Sequence, residues 1–459
     1  MIERTLGQVA EMIGGSLCDP KYKDIKIRGV STDSRTMQDK NLYIPLVGEV
    51  FDGRLFIKEC EDKGAPAFLV DEGYEVKNNI SIPYIRVEDT LKALQDLARA
   101  YRSELDIKVV GITGSNGKTT TKDLLYEVLK AKYKTQKTIG NLNNEIGVPK
   151  TILSLNEDTE IAIVELGTDN FGDISLTSKI AKPDIAMITN IGDSHLHNLK
   201  SKEGILKAKM EIIEGLDKDG VFVYNGDDET MKKEMPSYKV SQKIISFGLE
   251  DSNDFVIEEI PSTPGKVSFK KDDEVYDIPL LGRHNIYNGA ACLLVSSLLG
   301  LDASDVKDGL IRVKPANNRS SIIEFDGFDV LDDSYKSNPQ SLSSGLLTTK
   351  LLDGYTNKIA VLGDMLELGD KEEELHYQAG LKIDPKDIDS CLFFGNLSYH
   401  MYKAALENFP NDRVFHFMDK DDLIDKLKSL ITKSSLVFVK GSHGMHMEEI
   451  IESISKLKL

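Results

Sequence analysis

A glycine-rich turn stands between an apolar, strand-like run and a helix-like run in the first third of the chain. The strand is predicted over residues 106–113, the turn reads GSNG at 114–117, and the helix begins with Lys-Thr at 118. The N–H groups of such a turn attract nucleotide phosphates, while the lysine adds a point charge and the threonine can ligate Mg²⁺. The usual G-x-x-x-x-G-K-[ST] pattern is incomplete, because Ile112 occupies its first glycine position. We still favour a nucleotide site over an incidental tight turn, because a strand precedes the turn and a helix follows it.

Strand-like and helix-like segments alternate along most of the chain, which is typical of parallel α/β folds. Continuous apolarity predicts strands buried on both faces. Such runs lie at 161–167, 183–192, 220–226, 357–365, 390–396, 414–418 and 435–442. Residues 284–299 have the spacing of a helix.

We therefore predict an α/β protein of three domains, with boundaries near residues 84 and 315. Residues 1–84, with short strands and frequent turn signals, form a small α/β domain. Residues 85–315 form a central P-loop domain with a doubly wound, mostly parallel sheet, since its strands and helices alternate. The pattern restarts after residue 315, which predicts a C-terminal Rossmann-like α/β domain over 316–459.

Composition narrows the classes of partner. The 459 residues include 57 Lys and Arg against 75 Asp and Glu, for a net charge of −18. Such a surface repels phosphate backbones and anionic lipids, so nucleic acid and membrane surfaces are disfavoured as partners. No apolar run approaches the roughly 18 residues of a spanning helix. Four widely separated cysteines, at 18, 60, 292 and 391, predict buried, reduced thiols, and with the absence of a secretory leader they indicate a cytoplasmic protein.

Several single residues are ambiguous when they are considered alone. Glu165 ends a predicted strand beside the P-loop strand, where it could hold a metal or simply face solvent. His195 and His197 are two apart and do not share a helix face, which disfavours a zinc pair and favours structural roles. Lys207 and Lys209 would ordinarily lie on a solvated helix face.

Taken together, the motifs resemble those of the Mur ligases, the ATP-dependent ligases that build the peptide stem of peptidoglycan. GITGSNGKTT is similar to that family's own form of the P-loop. GNLNNEIGVPKTIL (140–153), DDSYKSNPQSL (332–342) and VLGDMLELGD (361–370) resemble segments of the family member that acts last in the series. STDSR and LYIPLVGEVFDGRLFI resemble the UDP-binding first domain of the family. The resemblance covers nearly the whole chain, with motifs in all three predicted domains.

The resemblance implies ligation of D-alanyl-D-alanine to UDP-N-acetylmuramoyl-tripeptide through an acyl phosphate, with ATP as co-substrate and two Mg²⁺ ions. It implies catalytic roles for Lys118, His195, Lys209 and Arg319. The residues it places at ATP are Gly114, Ser115, Asn116, Gly117, Lys118, Thr119, Thr120, His284, Asn285, Asn288, Arg319 and Asp333. Those it places at metal are Thr119, Glu165, His195 and Lys209, the lysine being carbamylated in the family. Those it places at the UDP-linked substrate are Ser31, Asp33, Arg35, Asn143 and Asn144.

Some positions depart from the family pattern. Lys336 and Ser337 stand where the family more often has Asn and Ala, and His443 and His446 stand where Arg is common. These departures concern the third-domain pocket, including the dipeptide contacts.

Two alternatives remain open. One is a sibling ligase that adds a single amino acid to a shorter peptide, or glutamate to folate. The other is a non-catalytic scaffold, which would be expected to lose its catalytic residues, although all four are present. The sequence leaves open whether the third stem residue is lysine or diaminopimelate. It also leaves open whether D-Ala-D-lactate or D-Ala-D-Ser replaces the dipeptide, and what the oligomeric state is.

Overall fold

The computed structural model describes residues 1–263, 265–314 and 318–459, which fold into three successive α/β units. The predicted fold class is confirmed, with a small N-terminal unit, a central unit built on a parallel sheet, and a C-terminal unit built on a second, mostly parallel sheet. The domain boundaries stay predictions, and the predicted junction between residues 315 and 316 lies outside the described residues.

The N-terminal unit holds a small mixed sheet. Its elements are β1 (Glu3–Thr5), α1 (Leu6–Ile13), β2 (Ser16–Leu17), β3 (Lys26–Arg28), β4 (Val30–Ser31), β5 (Leu42–Tyr43), α2 (Ile57–Asp62), β6 (Phe68–Asp71) and β7 (Tyr84–Val87). β1 pairs with β3, and the other strands form a sheet in the order β2-β7-β6-β5-β4. Helix α1 begins where the Thr5 side chain accepts a hydrogen bond from the Gln8 N–H, and it ends at Gly14, whose φ is +63°.

The central unit is built on seven parallel strands. Its first half contains α3 (Thr90–Glu104), β8 (Lys108–Thr113), α4 (Lys118–Leu129), β9 (Thr135–Lys137), α5 (Gly147–Ser154), β10 (Ile161–Glu165), α6 (Asp173–Ala181), β11 (Ile185–Ile188), α7 (Leu196–Leu199) and α8 (Lys202–Met210). Its second half contains β12 (Val221–Asn225), α9 (Glu229–Glu234), β13 (Lys243–Gly248), β14 (Phe255–Val256), β15 (Glu258–Thr263), β16 (Lys266–Lys271), β17 (Glu274–Ile278), α10 (His284–Leu298) and α11 (Ala303–Leu310). The strand order is β14-β13-β12-β11-β8-β10-β9.

The central sheet confirms the strands predicted from apolar runs. β8 lies between β10 and β11, so the chain leaves it toward one side of the sheet and later returns on the other. Ligands bind at such a switch point, outside the carboxyl ends of the strands. The P-loop, Glu165 and the loop after β11 meet there because β8, β10 and β11 all end at that edge.

A second, antiparallel sheet of β15, β16 and β17 was not predicted. Its strands carry charged residues on one face, so they lack the continuous apolar runs of the parallel strands. The other face packs against helix α10. Phe269 and Tyr276 stack with ring centroids 5.1 Å apart, and a Cβ on Gly289 of α10 would lie 2.8 Å from the Phe269 ring.

The C-terminal unit repeats the α/β alternation. Its elements are β18 (Ser321–Glu324), β19 (Phe328–Asp333), α12 (Pro339–Leu351), β20 (Asn357–Gly363), α13 (Glu372–Leu381), β21 (Ser390–Phe394), α14 (Ser398–Ala405), β22 (Val414–Phe417), α15 (Lys420–Leu430), β23 (Ser435–Lys440) and α16 (Glu448–Ile454). The strand order is β18-β19-β23-β20-β21-β22, with β18 antiparallel to β19 and the other pairs parallel. Apolar cores lie on both faces of this sheet.

Two predictions drawn from composition can be compared with the structure. Cys60, Cys292 and Cys391 are buried free thiols, as predicted, but Cys18 is exposed, so the prediction was wrong for that residue. Cys18 follows the short edge strand β2, where its N–H donates to the Tyr84 carbonyl and its sulfur accepts a 3.4 Å hydrogen bond from the Tyr84 N–H at the exposed edge of the sheet. Among the residues described, none of the helices has both the length and the apolarity needed to cross a bilayer.

Candidate active site

Two glycines shape the turn between β8 and α4. Gly114 has φ +150°, and a Cβ there would lie 1.8 Å from Oγ1 of Thr189. Gly117 has φ +80° and precedes the helix, and a Cβ there would lie 2.6 Å from Oδ1 of Asn288. Both positions therefore need glycine, for the backbone conformation and for close packing against neighbouring elements.

The turn is held by the loop that follows β11. Asn190 accepts hydrogen bonds from the Ser115 N–H at 2.9 Å and, through its side-chain oxygen, from the Asn116 N–H at 3.0 Å. The Thr189 hydroxyl donates to the Asn116 carbonyl at 2.6 Å. These two N–H groups are therefore bonded within the protein, whereas the first N–H groups of α4 have no partner inside their own helix and are available to an anion. Sequence reasoning did not single out Thr189 and Asn190, which lie within the predicted strand 183–192 and directly follow β11 in the structure.

Lys118 folds back over the turn. Its Nζ donates a 2.7 Å hydrogen bond to the carbonyl of Gly114. Burial lowers the pKa of Lys118 to about 8, the charges of Lys336 and Arg319 act in the same direction, and Glu165 opposes them. A cation in these surroundings is stabilised when a polyphosphate enters the site. Arg319 and Lys336 belong to the C-terminal unit and line the same cavity as the P-loop, so that unit brings positive charge to the site.

The Glu165 carboxylate, beside the turn, accepts hydrogen bonds from two neighbouring side chains and lies near a lysine. Its Oε2 accepts a 3.0 Å hydrogen bond from Thr119 Oγ1, and its Oε1 accepts a 2.9 Å bond from Asn143 Nδ2. The Lys122 ammonium lies 3.4 Å from Oε2, and both side chains are almost fully buried. Burial acts to raise the pKa of Glu165, but Lys118, Lys122 and the two hydrogen bonds outweigh it and lower that pKa. The group is therefore a buried carboxylate that stays ionised.

The oxygen atoms at this point suit a hard divalent cation. Mg²⁺ is commonly bound through one or two carboxylates together with substrate phosphates. The Thr119 hydroxyl and the Glu165 carboxylate provide such oxygens next to the start of α4. Within residues 1–263, 265–314 and 318–459, no group of three or more His, Cys, Asp and Glu side chains is arranged to enclose a metal by itself. The donor set thus fits a Mg²⁺ that is shared with a nucleotide.

The two lysines of α8 differ sharply. Lys207 is exposed, as the solvated-face interpretation predicted, and its Nζ lies 5.6 Å from the centroid of the Phe171 ring. Lys209 is 2% exposed, so that interpretation was wrong for it. Burial lowers the pKa of Lys209 well below its ordinary value, Lys118 and Lys336 add to the effect, and Asp169 opposes it. Lys209 is therefore a buried amine that is more easily deprotonated than an exposed lysine.

His195 lies where the loop after β11 meets the C-terminal unit. Its Nδ1 is 3.1 Å from Oδ1 of Asp169 and 3.0 Å from Oε2 of Glu367. The backbone of His195 is left-handed, with φ +59°, immediately before α7. Sequence reasoning named His195 but did not identify Asp169 or Glu367 as its partners.

A cavity of about 520 Å³ lies between the central and C-terminal units. The expected ATP-site residues that line it are Asn116, Gly117, Thr120, His284, Asn285, Asn288, Arg319 and Asp333. Lining residues that the sequence did not single out for ATP include Asn190, Asp227, Tyr335, Lys336, Gln340 and Lys440. Positive charge dominates the C-terminal wall, which suits a polyphosphate.

The C-terminal wall is ordered by one buried ion pair and one stacked cation. The Lys440 ammonium donates to Oδ2 of Asp333 at 2.6 Å and to the Lys336 carbonyl at 2.8 Å. The guanidinium carbon of Arg319 lies 4.3 Å from the centroid of the Tyr335 ring. Asp333 is thus fixed by Lys440, while the stacking holds Arg319 at the cavity.

The asparagines of α10 support the floor of the cavity. Asn288 donates to Asn285 Oδ1 at 2.8 Å, and its own Oδ1 accepts a 3.3 Å bond from Thr121 of α4. Asn285 in turn donates to the Leu281 carbonyl at 2.7 Å. This buried polar chain ties the helix that follows the P-loop to α10.

The residues expected at the UDP-linked substrate occupy two places. Ser31, Asp33 and Arg35 form a compact turn in the N-terminal unit, in which Arg35 bonds Asp33 through two nitrogens and holds the pKa of Asp33 at about 2. Asn143 lies at Glu165, whereas Asn144 accepts hydrogen bonds from the Ile146 and Gly147 N–H groups at the start of α5. Of the pair, Asn143 therefore faces the phosphate end of the site.

Comparisons with known proteins identify the family to which the chain belongs. Sequence models of the Mur ligase family match all three units: its catalytic domain at residues 26–102, its middle domain at 112–296 and its glutamate ligase domain at 318–443. The chain is 41% identical over 458 residues to the UDP-N-acetylmuramoyl-tripeptide–D-alanyl-D-alanine ligase of Bacillus subtilis, covering 99% of each chain.

Solved structures of MurF ligases have the same fold over nearly the whole chain. A crystal structure of MurF from Acinetobacter baumannii superposes with a TM-score of 0.91 at 29% identity, covering 100% of both chains. MurF ligase from Thermotoga maritima in complex with ADP superposes with a TM-score of 0.80 at 28% identity, covering 94% of this chain and 97% of that one.

Proposed function

Because this chain belongs to the Mur ligase family, we propose that it ligates D-alanyl-D-alanine to UDP-N-acetylmuramoyl-tripeptide, converting ATP to ADP and phosphate, in cytoplasmic peptidoglycan precursor synthesis. The observation that carries the proposal is that Asn116 and Gly117 of the P-loop and Arg319 of the C-terminal unit line one cavity. The full-length similarity to ligases of this name supports it, and the similarity to an ADP complex supports ATP as the nucleotide.

The first step requires an activated carboxylate. A terminal carboxylate oxygen of the tripeptide attacks the γ-phosphorus of ATP, the bond from that phosphorus to the bridging oxygen breaks, and an acyl phosphate and ADP result. Charge moves onto the phosphoryl oxygens and the leaving ADP during this step. The ammonium of Lys118, the guanidinium of Arg319 and the N–H groups at the start of α4 stabilise that charge from fixed positions.

The second step forms the peptide bond. The free amine of the dipeptide attacks the acyl carbon, phosphate leaves with the electron pair of the carbon–oxygen bond, and the attacking nitrogen loses one proton to phosphate or solvent. Water would destroy the acyl phosphate, so the site must be shielded while this intermediate exists. The placement of the cavity between the central and C-terminal units supports such shielding.

The proposed reaction also requires Mg²⁺. Bound Mg²⁺ supplies charge neutralisation at the phosphate oxygens. Thr119 and Glu165 would hold one ion together with phosphate, and Glu165, His195 and a carbamylated Lys209 would hold a second. The burial of Lys209 and its lowered pKa support carbamylation, since CO₂ adds to an unprotonated amine, forming an N–C bond and releasing one proton.

A sibling ligase that adds a single amino acid is the competing function. The test is phosphate release by the purified protein with ATP, Mg²⁺ and UDP-N-acetylmuramoyl-tripeptide, omitting each component in turn. We expect release to require D-alanyl-D-alanine and to stop in excess EDTA. Equal release with a single amino acid in place of the dipeptide, or full activity in EDTA, would refute the proposal. D-Ala-D-lactate and D-Ala-D-Ser are compared in the same assay to define the second substrate.

A further inference from the structure

Two residues with strained backbones meet between the central and C-terminal units. His195 has φ +59° and Glu367 has φ +68°, a region that non-glycine residues seldom occupy. The carboxylate of Glu367 lies 3.0 Å from His195 Nδ1, and the Glu367 carbonyl accepts a hydrogen bond from the His197 N–H at 3.3 Å. Such strain persists where the surrounding structure imposes it, and it concentrates at functional sites.

Glu367 lies on a short arm, residues 364–371, between β20 and α13. The arm is fixed from within the C-terminal unit. The Met365 N–H donates to Nε2 of buried His376 at 2.9 Å, and the Leu366 N–H donates to the Ser442 hydroxyl at 2.8 Å. The backbone that leads to Glu367 is therefore held by contacts within the C-terminal unit.

The arm approaches the central unit closely. Gly369 has φ +67°, and a Cβ there would lie 3.0 Å from the Cα of His197. Glycine at this position lets the backbone of the arm pack directly on the loop after β11. The backbone contact between Gly369 and His197 therefore lies next to the contact between Glu367 and His195.

We propose that Glu367 is a positioning residue for His195, and that it makes the orientation of this imidazole depend on docking of the C-terminal unit. A carboxylate at Nδ1 holds the proton on that nitrogen and leaves the Nε2 lone pair free to bind a metal. Asp169 contacts the same nitrogen but belongs to the central unit, so its contact with His195 does not depend on docking of the C-terminal unit. The inference rests on the proposed function, because it concerns the second Mg²⁺.

The proposal has a consequence for when the second metal ion binds relative to docking of the C-terminal unit. With the C-terminal unit displaced, Glu367 leaves and His195 keeps only Asp169 as a carboxylate partner among the contacts described. Full affinity for the second ion would then arise only in the docked state, in which Arg319 also lies at the phosphates. Metal binding and closure would be coupled through one imidazole.

The test compares Glu367→Gln with Glu374→Gln. Glu374 lines the same acidic cavity as His195, but no ion pair or hydrogen bond between them occurs among the described residues, so it controls for loss of one negative charge. The first readout is the affinity for Mn²⁺ in the presence of a non-hydrolysable ATP analogue, and electron paramagnetic resonance is used to measure it. We expect Glu367→Gln to weaken the second ion by roughly 10- to 100-fold, in line with other partners of metal-bound histidines. Glu374→Gln should change it less than about twofold.

The second readout is independent of metal and of turnover. Nitrogen NMR of histidine-labelled, metal-free protein reports which ring nitrogen of His195 carries the proton. We expect the Nδ1-protonated form in the wild type and a shifted equilibrium in Glu367→Gln, with an unchanged melting temperature.

Three outcomes separate the possibilities. Unchanged Mn²⁺ affinity and tautomer in Glu367→Gln would overturn the inference, even in an active ligase. Equal weakening by both variants would also overturn it, because it would indicate a general field effect. A wild type that fails to ligate the dipeptide would remove the proposed function, while the tautomer experiment would still show whether Glu367 positions His195.

Discussion

The ammonium of Lys118 donates a 2.7 Å hydrogen bond to the carbonyl of Gly114, so the lysine closes over the turn that precedes its own helix. This bond joins the first residue of the turn to the first residue of α4. Burial and neighbouring cations make this ammonium costly until a polyphosphate arrives, which is the arrangement expected for a group that stabilises phosphoryl charge.

We expect Lys118→Ala to lower kcat by roughly 10²-fold or more, because the lysine charge acts as negative charge redistributes during phosphoryl transfer. The measurement is steady-state phosphate release, with melting temperature as a check on folding. Lys130→Ala is the matched control, since Lys130 caps the far end of the same helix and pairs with Glu127 at the surface. Near-normal kcat in Lys118→Ala would show that this turn is not where the chemistry occurs.

We expect Arg319→Ala to reduce kcat by about 10³-fold while the affinity for the UDP-linked substrate changes little. Arg319 stacks on Tyr335 at the nucleotide cavity, whereas the turn of Ser31 and Asp33 lies in the N-terminal unit. Single-turnover kinetics and direct binding of the UDP-linked substrate separate the two quantities. Arg312→Ala, at an exposed turn, is the control. Equal losses in kcat and substrate affinity would identify Arg319 as a ground-state or structural contact.

The parallel strands and the P-loop were predictable because their signals are local. Strands such as Ile161–Glu165 are apolar up to their last residue, and a glycine-rich turn before Lys-Thr is a short motif. The antiparallel sheet that includes Lys266–Lys271 was missed, because a strand with one solvated face gives a weaker and shorter pattern.

Contacts between residues far apart in the sequence were not predictable from patterns. Asp333 and Lys440 are 107 positions apart, and Glu367 lies 172 positions after His195, so tertiary packing alone brings them together. The difference between Lys207 and Lys209 is also tertiary. Both lie on α8, and only the neighbours of that helix decide which one is buried.

We expect the buried histidine of the C-terminal unit to make stability depend on pH. His376 accepts from Met365 N–H through Nε2, and its Nδ1 lies 2.6 Å from the Glu372 carbonyl, so the neutral ring satisfies both contacts. Burial lowers the pKa of His376 below its ordinary 6.5, although the Glu372 carbonyl and the Asp364 charge oppose this and His400 reinforces it. The native state therefore binds fewer protons than the unfolded state, and the stabilisation present above pH 6.5 is lost as pH falls.

The substitution His376→Gln isolates this effect. We expect its melting temperature to lie further below that of the wild type at pH 8 than at pH 5, because the wild type loses the contribution of His376 in acid. Thermal unfolding of both proteins at the two pH values is the measurement. His416→Gln serves as the comparison, since that histidine bonds the Gly395 carbonyl from a half-buried position. A gap that stays constant or widens in acid would contradict the assignment.

The last prediction concerns Lys209, whose side chain is buried near Lys118 and Lys336. A protonated amine there would repel a bound Mg²⁺, and two unit charges 4 Å apart interact by about 4 kcal/mol at an effective dielectric of 20. Carbamylation exchanges that cation for an anion with oxygen atoms. We therefore expect Lys209→Ala to remain folded and to bind ADP, but to lose most of its turnover. Acetate or propionate, entering the vacated space, should restore part of the activity, whereas Lys207→Ala should behave as wild type because its side chain is exposed. ¹³CO₂ labelling provides a direct check, since the wild type should show a carbamate signal that Lys209→Ala lacks. Normal turnover in Lys209→Ala, or equal labelling of both proteins, would exclude Lys209 from the mechanism.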